Sequence, residues 1–245
     1  TTRDARQVEG SGGVVTTPVI NRPEVAIIGP NGVGKSTIAK LCARDLGYTY
    51  IDTGAMYRAV GLLARRGGLD FGDEEGLARL IEGLSFDFPW VDDELRTVVC
   101  GEDVSVPIRT PQGAMDASTV SKVGSVRAAL VALQRRMGAD GGVVMEGRDI
   151  GTVVFPGAEL KVFLTASPQV RGARRLRQMK ARGQDGVLEE IIRDIEARDL
   201  QDSTRSISPL RPAEDSVLVD TSELPVEGVL RLLRELAKER GAGVS

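Results

Sequence analysis

Apolar positions along the chain change period repeatedly, and each change marks an element. Val25-Ala26-Ile27-Ile28 is a continuous apolar run, the pattern of a strand buried on both faces. The segment from Gly29 to Gly34 cannot extend it and makes a loop. From Lys35 the apolar positions are Ile38, Leu41, Cys42 and Leu46, which is helical spacing, and Gly47 ends that helix. Thr49-Tyr50-Ile51 reads as a second strand. Met56, Val60 and Leu63 carry a helix that stops at Gly67-Gly68, and Leu77, Leu80, Ile81 and Leu84 carry another. Period two then takes over. Phe86 and Phe88 alternate with polar residues, Val91 to Glu94 marks a turn, Leu95, Thr97 and Val99 alternate again, and Gly101-Glu102-Asp103 marks a second turn. This predicts a small antiparallel sheet inserted into an α/β chain.

A long helix follows, with Val120, Val123, Arg127, Leu130, Leu133 and Met137 on related faces. Strand-like runs return at Val143-Val144-Met145 and from Leu160 to Leu164. Ser167-Pro168 has the form of an N-cap followed by proline at the first helical position. The helix it opens is basic, and Gly183-Gln184-Asp185-Gly186 breaks it. Leu188, Ile191, Ile192 and Ile195 carry a partner helix. Val217-Leu218-Val219 and a helix through Val226, Val229, Leu230 and Leu233 complete the chain. There is no internal repeat. Strands alternating with helices predict a parallel sheet covered on both faces.

Composition narrows the chemistry. The 245 residues suffice for one large α/β domain or two small ones. The net charge of −3 disfavours a nucleic-acid coat and a polybasic membrane binder. No apolar run approaches the ~18 residues of a transmembrane helix. The absence of histidine excludes Ser-His-Asp and Cys-His catalysis, His-ligated zinc and a histidine general base. Cys42 and Cys100 are in no paired spacing, which suits a reduced, cytoplasmic setting, with each thiol expected as a small buried hydrophobe. Residues 1–22 are rich in Thr, Gly and Pro and read as a flexible tail. Asp4 and Glu9 and the lack of a continuous apolar stretch argue against a secretory signal there.

Gly29-Pro30-Asn31-Gly32-Val33-Gly34-Lys35-Ser36 fits the phosphate-binding pattern G-x-x-x-x-G-K-[ST] at every position, between a buried strand and an amphipathic helix. Glycines let backbone N–H groups approach phosphate oxygens, and the helix aims its positive N-terminus at the same anion. Lys35 supplies a full charge to the β- and γ-phosphates, and the Ser36 hydroxyl suits Mg²⁺. Thr37 continues the motif. A switch GTPase needs N-K-x-D; the only asparagines, Asn21 and Asn31, do not precede lysine.

Four arginine-bearing segments stand at strand ends or helix faces: Asp52 to Arg58, Ile108-Arg109-Thr110, Glu146 to Thr152, and Arg198 to Arg205. Ligands of open α/β sheets bind beyond the carboxyl ends of the strands, so the first and third should gather at the crevice of the phosphate loop. Arginine grips phosphate oxygens in a rigid fork and stays charged. Arg171, Arg174 and Arg175 form either a solvated helix face or, given the flanking glycines, a mobile lid over a triphosphate.

Together GPNGVGKST, DTGAMYR, GEDVSVPIRT, EGRDIGTVVFP and ARDLQDSTRSISPL resemble the bacterial cytidylate kinases, from about Val25 to Leu233. The resemblance implies a three-layer P-loop kinase fold with a central five-stranded parallel sheet. It implies a domain over residues 23–245, with an inserted monophosphate-binding part at 84–116 and a lid at 171–186. The implied reaction moves a phosphoryl group from ATP, with Mg²⁺, to CMP or dCMP. The phosphate loop with Lys35, and Arg171, Arg174 and Arg175, would hold ATP. Arg58, Arg148 and Arg205 would clamp the CMP phosphate, with Thr53 and Tyr57 lining that pocket. Ser118, Arg127 and Asp149 match positions that read the cytosine edge, and Arg198 and Asp202 match positions that hold the ribose. Arg109 stands in a motif that the family shares, and a monomer is the family expectation. The chain departs from many relatives at Asn31, Val33, Ser125 and Gln201. The rival readings are another small-molecule kinase on this fold and a kinase-like nucleotide sensor without turnover.

Overall fold

A computed structural model describes residues 22–241, Arg182 excepted. The expected tail therefore lies, up to residue 21, outside the described residues. The chain opens with β1 (Val25–Ile28), every residue of it buried, and turns through the phosphate loop into α1 (Lys35–Leu46). Gly34, in the left-handed region at φ 99°, caps α1, and Gly47 at φ 64° ends it. β2 (Thr49–Asp52) runs straight into α2 (Thr53–Arg66), because the Asp52 carboxylate accepts from the Ala55 amide at 2.8 Å and caps the helix. α3 (Glu74–Glu82) is capped in the same way by Asp73 and ends two residues before Leu84.

The inserted segment holds five two-residue strands. They are β3 (Phe86–Asp87), β4 (Trp90–Val91), β5 (Glu94–Leu95), β6 (Val98–Val99) and β7 (Glu102–Asp103). β3, β6 and β7 form the expected small antiparallel sheet, while β4 and β5 form a separate hairpin. Asp92 and Asp93 both have positive φ, which matches the right-handed twist of a tight hairpin. The second turn falls one residue earlier than its sequence suggests, at Cys100-Gly101, both with positive φ; Glu102 and Asp103 belong to a strand. Cys42 is buried as expected, but Cys100 is exposed on that turn.

The long helix expected from Val120 to Met137 is two helices. α4 (Pro111–Val120) is capped by Thr110, and α5 (Gly124–Met137) starts after a break at 121–123. β8 (Val143–Gly147) is buried throughout. One turn of π-helix follows at Ile150–Val154, closed by the Phe155 amide on the Ile150 carbonyl at 2.7 Å. Arg135 of α5 donates to the Val153 and Val154 carbonyls and holds that turn. β9 (Leu160–Thr165) leads to α6 (Pro168–Ala181), where the Ser167 hydroxyl accepts from the Val170 amide as an N-cap should. α7 (Leu188–Ser203), β10 (Val217–Asp220) and α8 (Val226–Glu239) complete the order.

The five long strands form one parallel sheet in the order β10-β9-β1-β8-β2. One face packs against α2, α3 and α5 through Ile28, Met56, Leu77, Leu130 and Met145. The other packs against α1 and α8 through Ile27, Ile38, Tyr50 and Leu233. The result is three layers with apolar residues on both sheet faces. The chain adds β2 and β8 on one side of β1 and then β9 and β10 on the other. That reversal opens a crevice beyond the carboxyl ends of the strands.

Candidate active site

The phosphate loop is fixed by its own geometry and by α6. Gly29 has φ 153°, and a Cβ there would stand 2.3 Å from the Leu164 carbonyl oxygen, so only glycine lets β1 leave the sheet here. Lys35 is buried, and its ammonium donates to the Pro30 carbonyl at 2.7 Å. Burial pulls its pKa down to about 7, with Arg148 adding to the effect against the pull of Glu146 and Asp202. Arg171 is buried too; it donates to the Ala166 and Asn31 carbonyls and pairs with Asp199 of α7 at 2.6 Å. Arg174 donates to Thr221 and to the Val33 carbonyl. Two of the three expected lid arginines therefore bind the loop itself. Arg175 is exposed and faces a second cleft lined by Asn31, Ser118 and Arg198. A further cleft runs outward past Thr37 toward Thr221, Pro225 and Val229.

Beside Lys35 and Ser36 the structure gathers most of the expected acceptor residues around one cleft. Thr53, Tyr57 and Arg58 enter from α2, Ser118 from α4 and Arg127 from α5. Arg148 and Asp149 follow β8, and Arg198, Asp202 and Arg205 come from α7 and its end. The Thr53 hydroxyl donates to the Glu146 carbonyl at 2.7 Å. Arg148 donates from Nε to Asp202 at 2.7 Å and from Nη1 to the Gly29 carbonyl at 3.3 Å, so it joins α7 to the phosphate loop. Arg205 stands 3.3 Å from the other Asp202 oxygen, misaligned for a hydrogen bond. Arg127 pairs with Asp149, both buried, and lies 5.7 Å over the Tyr57 ring. Three buried guanidinium nitrogens in this cleft, on Arg58, Arg127 and Arg205, have no partner, and unsatisfied buried donors call for acceptors.

The electrostatics are those of an anion site. Burial alone would raise the Asp202 carboxyl, but Arg148, Arg205 and Arg198 hold it below the usual carboxylate range. Burial and the neighbouring Arg148 lower Arg198. Burial pushes the Tyr57 phenol up to about 12, so it stays protonated.

Arg109 is exposed and does not line the cleft; it stands near Lys40 and Asp103 instead. Ser125 donates to the Glu74 carbonyl at 3.2 Å, which ties the start of α5 to α3 and leaves Arg127 facing the cleft. The sequence reading brought the Asp52 and Glu146 segments to the crevice but gave their carboxylates no role, and it missed Tyr50, a buried strand residue whose hydroxyl donates to Glu146. Glu146 carried a signal, a charge ending the apolar run Val143-Val144-Met145; Tyr50 carried none. Burial and Asp52 raise the Glu146 carboxyl.

A parallel sheet crossed at its centre by a glycine phosphate cradle, with an arginine-rich pocket alongside, is the architecture of the P-loop kinases. A solved structure of an uncharacterized protein from Eubacterium ventriosum ATCC 27560 shares the fold at TM-score 0.51 and 11% identity, over 89% of this chain and 99% of that one. The family model for cytidylate kinase matches residues 25–239. The cytidylate kinase of Geobacter sp. strain M21 is 51% identical over 88% of this chain and 93% of its own length. That of Pelotomaculum thermopropionicum is 49% identical over 86% and 94%. The chain belongs to the cytidylate kinase family.

Proposed function

We propose that the protein transfers the γ-phosphoryl group of ATP to the phosphate of CMP or dCMP, giving ADP and CDP or dCDP. The observation that carries this reading is the cleft in which Arg58, Arg148, Arg205 and Arg198 stand beside Lys35 and Ser36. That arrangement suits two phosphate-bearing ligands meeting end to end. A phosphate monoester is already an anionic nucleophile, so no histidine base is needed. What the site must supply is in-line placement, neutralisation of repelling charges and exclusion of water.

The roles follow from chemistry. Lys35 takes the β- and γ-phosphates. Arg58, Arg148 and Arg205 take the acceptor phosphate, with Thr53 and Tyr57 as its walls. Asp202 holds Arg148 and, with Arg198, takes the ribose hydroxyls. Cytosine presents an amino donor beside ring-nitrogen and carbonyl acceptors; Asp149 suits the first, and Arg127 and Ser118 the others. A base that leaves this buried trio unpaired is discriminated against. We place the monophosphate-binding part at residues 84–116, which lead into α4 and its Ser118, and the lid at residues 171–186, with the exposed Arg175 placed to close over a triphosphate.

Mg²⁺ fits the residues present. The Ser36 hydroxyl and the Asp52 and Glu146 carboxylates line the same cleft as Lys35, an all-oxygen set of the kind a hard divalent cation takes. Among the described residues no cluster of three or more acidic or cysteine side chains forms a dedicated cage, so nucleotide oxygens and water would complete the shell. When bound, Mg²⁺ supplies charge neutralisation at the β- and γ-phosphates. No helix among the described residues is long and apolar enough to cross a membrane. We take the protein to work as a monomer in the cytoplasm, on small nucleotides only.

Phosphorus NMR of ATP, Mg²⁺ and CMP with the protein tests the reading: CDP and ADP signals should grow together. In Arg148→Ala and Lys35→Ala the rate should fall by about 10²-fold or more, the usual size of lost electrostatic stabilisation. Near-normal rates in both variants would remove these residues from the site.

A further inference from the structure

β2 and β8 pair with Tyr50 opposite Val144 and Asp52 opposite Glu146. Strand alternation puts Tyr50, Asp52 and Glu146 on one face of the sheet, and Tyr50 and Glu146 are diagonal neighbours within reach of a long side chain. α1 covers that face, so the Tyr50 ring lies under the first turns of the helix that carries Lys35 and Ser36. Tyr50 is 2% exposed and Glu146 is 3% exposed. The Tyr50 hydroxyl donates to Glu146 Oε1. Lys35, lining the same cleft, donates to the Pro30 carbonyl instead, and the only lysine in an ion pair among the described residues is Lys161.

A buried carboxylate takes whatever donor is in reach, because an unpaired buried charge is costly. Around Glu146 stand the Tyr50 hydroxyl, the Ser36 hydroxyl and the Lys35 ammonium; the Lys40 ammonium lies 5.9 Å over the Tyr50 ring and outside the cleft that Lys35 shares with Glu146. We propose that Tyr50 is a positioning residue of the donor site, whose hydroxyl holds Glu146 away from Lys35 and so keeps Lys35 free for nucleotide phosphates. This rests on the reading of the cradle as the ATP site. Remove the hydroxyl, and Lys35 becomes the strongest donor left. A Lys35–Glu146 pair in this low-dielectric setting then competes with the phosphates for the same ammonium.

The test is calorimetric binding of ATP without Mg²⁺, in chelator, to the full chain and three variants. Tyr50→Phe keeps the ring and should bind ATP about fivefold to tenfold more weakly, the scale of one hydrogen bond rearranged at a buried charge. Adding Glu146→Gln to it should restore affinity to near the unsubstituted value, because a neutral amide makes no claim on Lys35. Glu146→Gln alone should bind ATP at least as well as the unsubstituted chain. CMP affinity should stay unchanged in Tyr50→Phe, whose ring does not line the acceptor cleft. A purely structural tyrosine would give a loss that Glu146→Gln does not rescue, and that result overturns the inference. Equal ATP affinity in Tyr50→Phe overturns it while leaving the kinase reading standing. Should the unsubstituted chain bind no ATP, both fall.

Discussion

Lys35 sits buried with its ammonium on the Pro30 carbonyl, and its burial makes nucleotide binding depend on pH. Burial holds its pKa at about 7, well below the ordinary lysine value. A bound triphosphate brings negative charge to the amine and raises that pKa again. Between about pH 7 and the ordinary lysine range, the free protein therefore carries a neutral amine and the nucleotide-bound protein an ammonium. Binding takes up a proton, and affinity falls as pH rises through this window. Calorimetry near pH 8.5 in two buffers of different ionisation enthalpy should show uptake approaching one proton; identical enthalpies would contradict it. At this scale the sequence was most legible. Asn31, Lys35 and Ser36 of the phosphate loop and ten of the eleven acceptor residues line one crevice, because charge at a strand end has few other uses. Arg109 does not, since a residue in a short turn can face either way. Tyr50 was illegible, because a tyrosine in a buried strand looks like core until its hydroxyl is seen.

Elements were legible where apolar residues make the contact and illegible where small or polar residues do. The five strands of the parallel sheet stand where the sequence predicts them, four on apolar runs and β2 on Thr49-Tyr50-Ile51. Helix α4 has no such signal: its buried residues are Gly113, Asp116 and Val120. It packs on α2 by close approach. A Cβ on Gly61 would stand 2.6 Å from the Asp116 Cβ, and Arg65 of α2 holds the Asp116 carboxylate at 3.0 Å and 2.5 Å. No count of apolar periodicity finds a helix whose contact is glycine against aspartate. Gly61→Ala should force α4 outward, at about 1–3 kcal/mol of stability as for other overpacked sites. Because α4 carries Ser118, the KM for CMP should rise several-fold while the KM for ATP stays put. Thermal melts and steady-state kinetics read both; equal shifts in the two KM values would mean that α4 does not set the acceptor pocket. The π turn after Asp149 was equally hidden, since its carbonyls are held by Arg135 from the distant helix α5.

Across the molecule, donor and acceptor sides are mechanically joined. Arg171 links the phosphate loop to Asp199 of α7, and Arg148 links the same loop to Asp202 of α7. A single helix thus feels the loop from two sides, one of them at the root of the proposed lid. Arg171→Ala would leave the Asn31 and Ala166 carbonyls and the half-buried Asp199 carboxylate without their partner and should cost about 3 kcal/mol, read as a lowered Tm. The affinity for CMP should fall with it although Arg171 does not line the acceptor cleft; unchanged CMP affinity would argue that the two sides act independently. The central claim is the reaction itself, phosphoryl transfer from ATP to a cytidine monophosphate. Its most direct test is ADP release with ATP and Mg²⁺ against CMP, dCMP, UMP, AMP and GMP in parallel. Turnover greatest with CMP or dCMP is the predicted result. Turnover greatest with another monophosphate, or ATP bound with no turnover on any of the five, would contradict it.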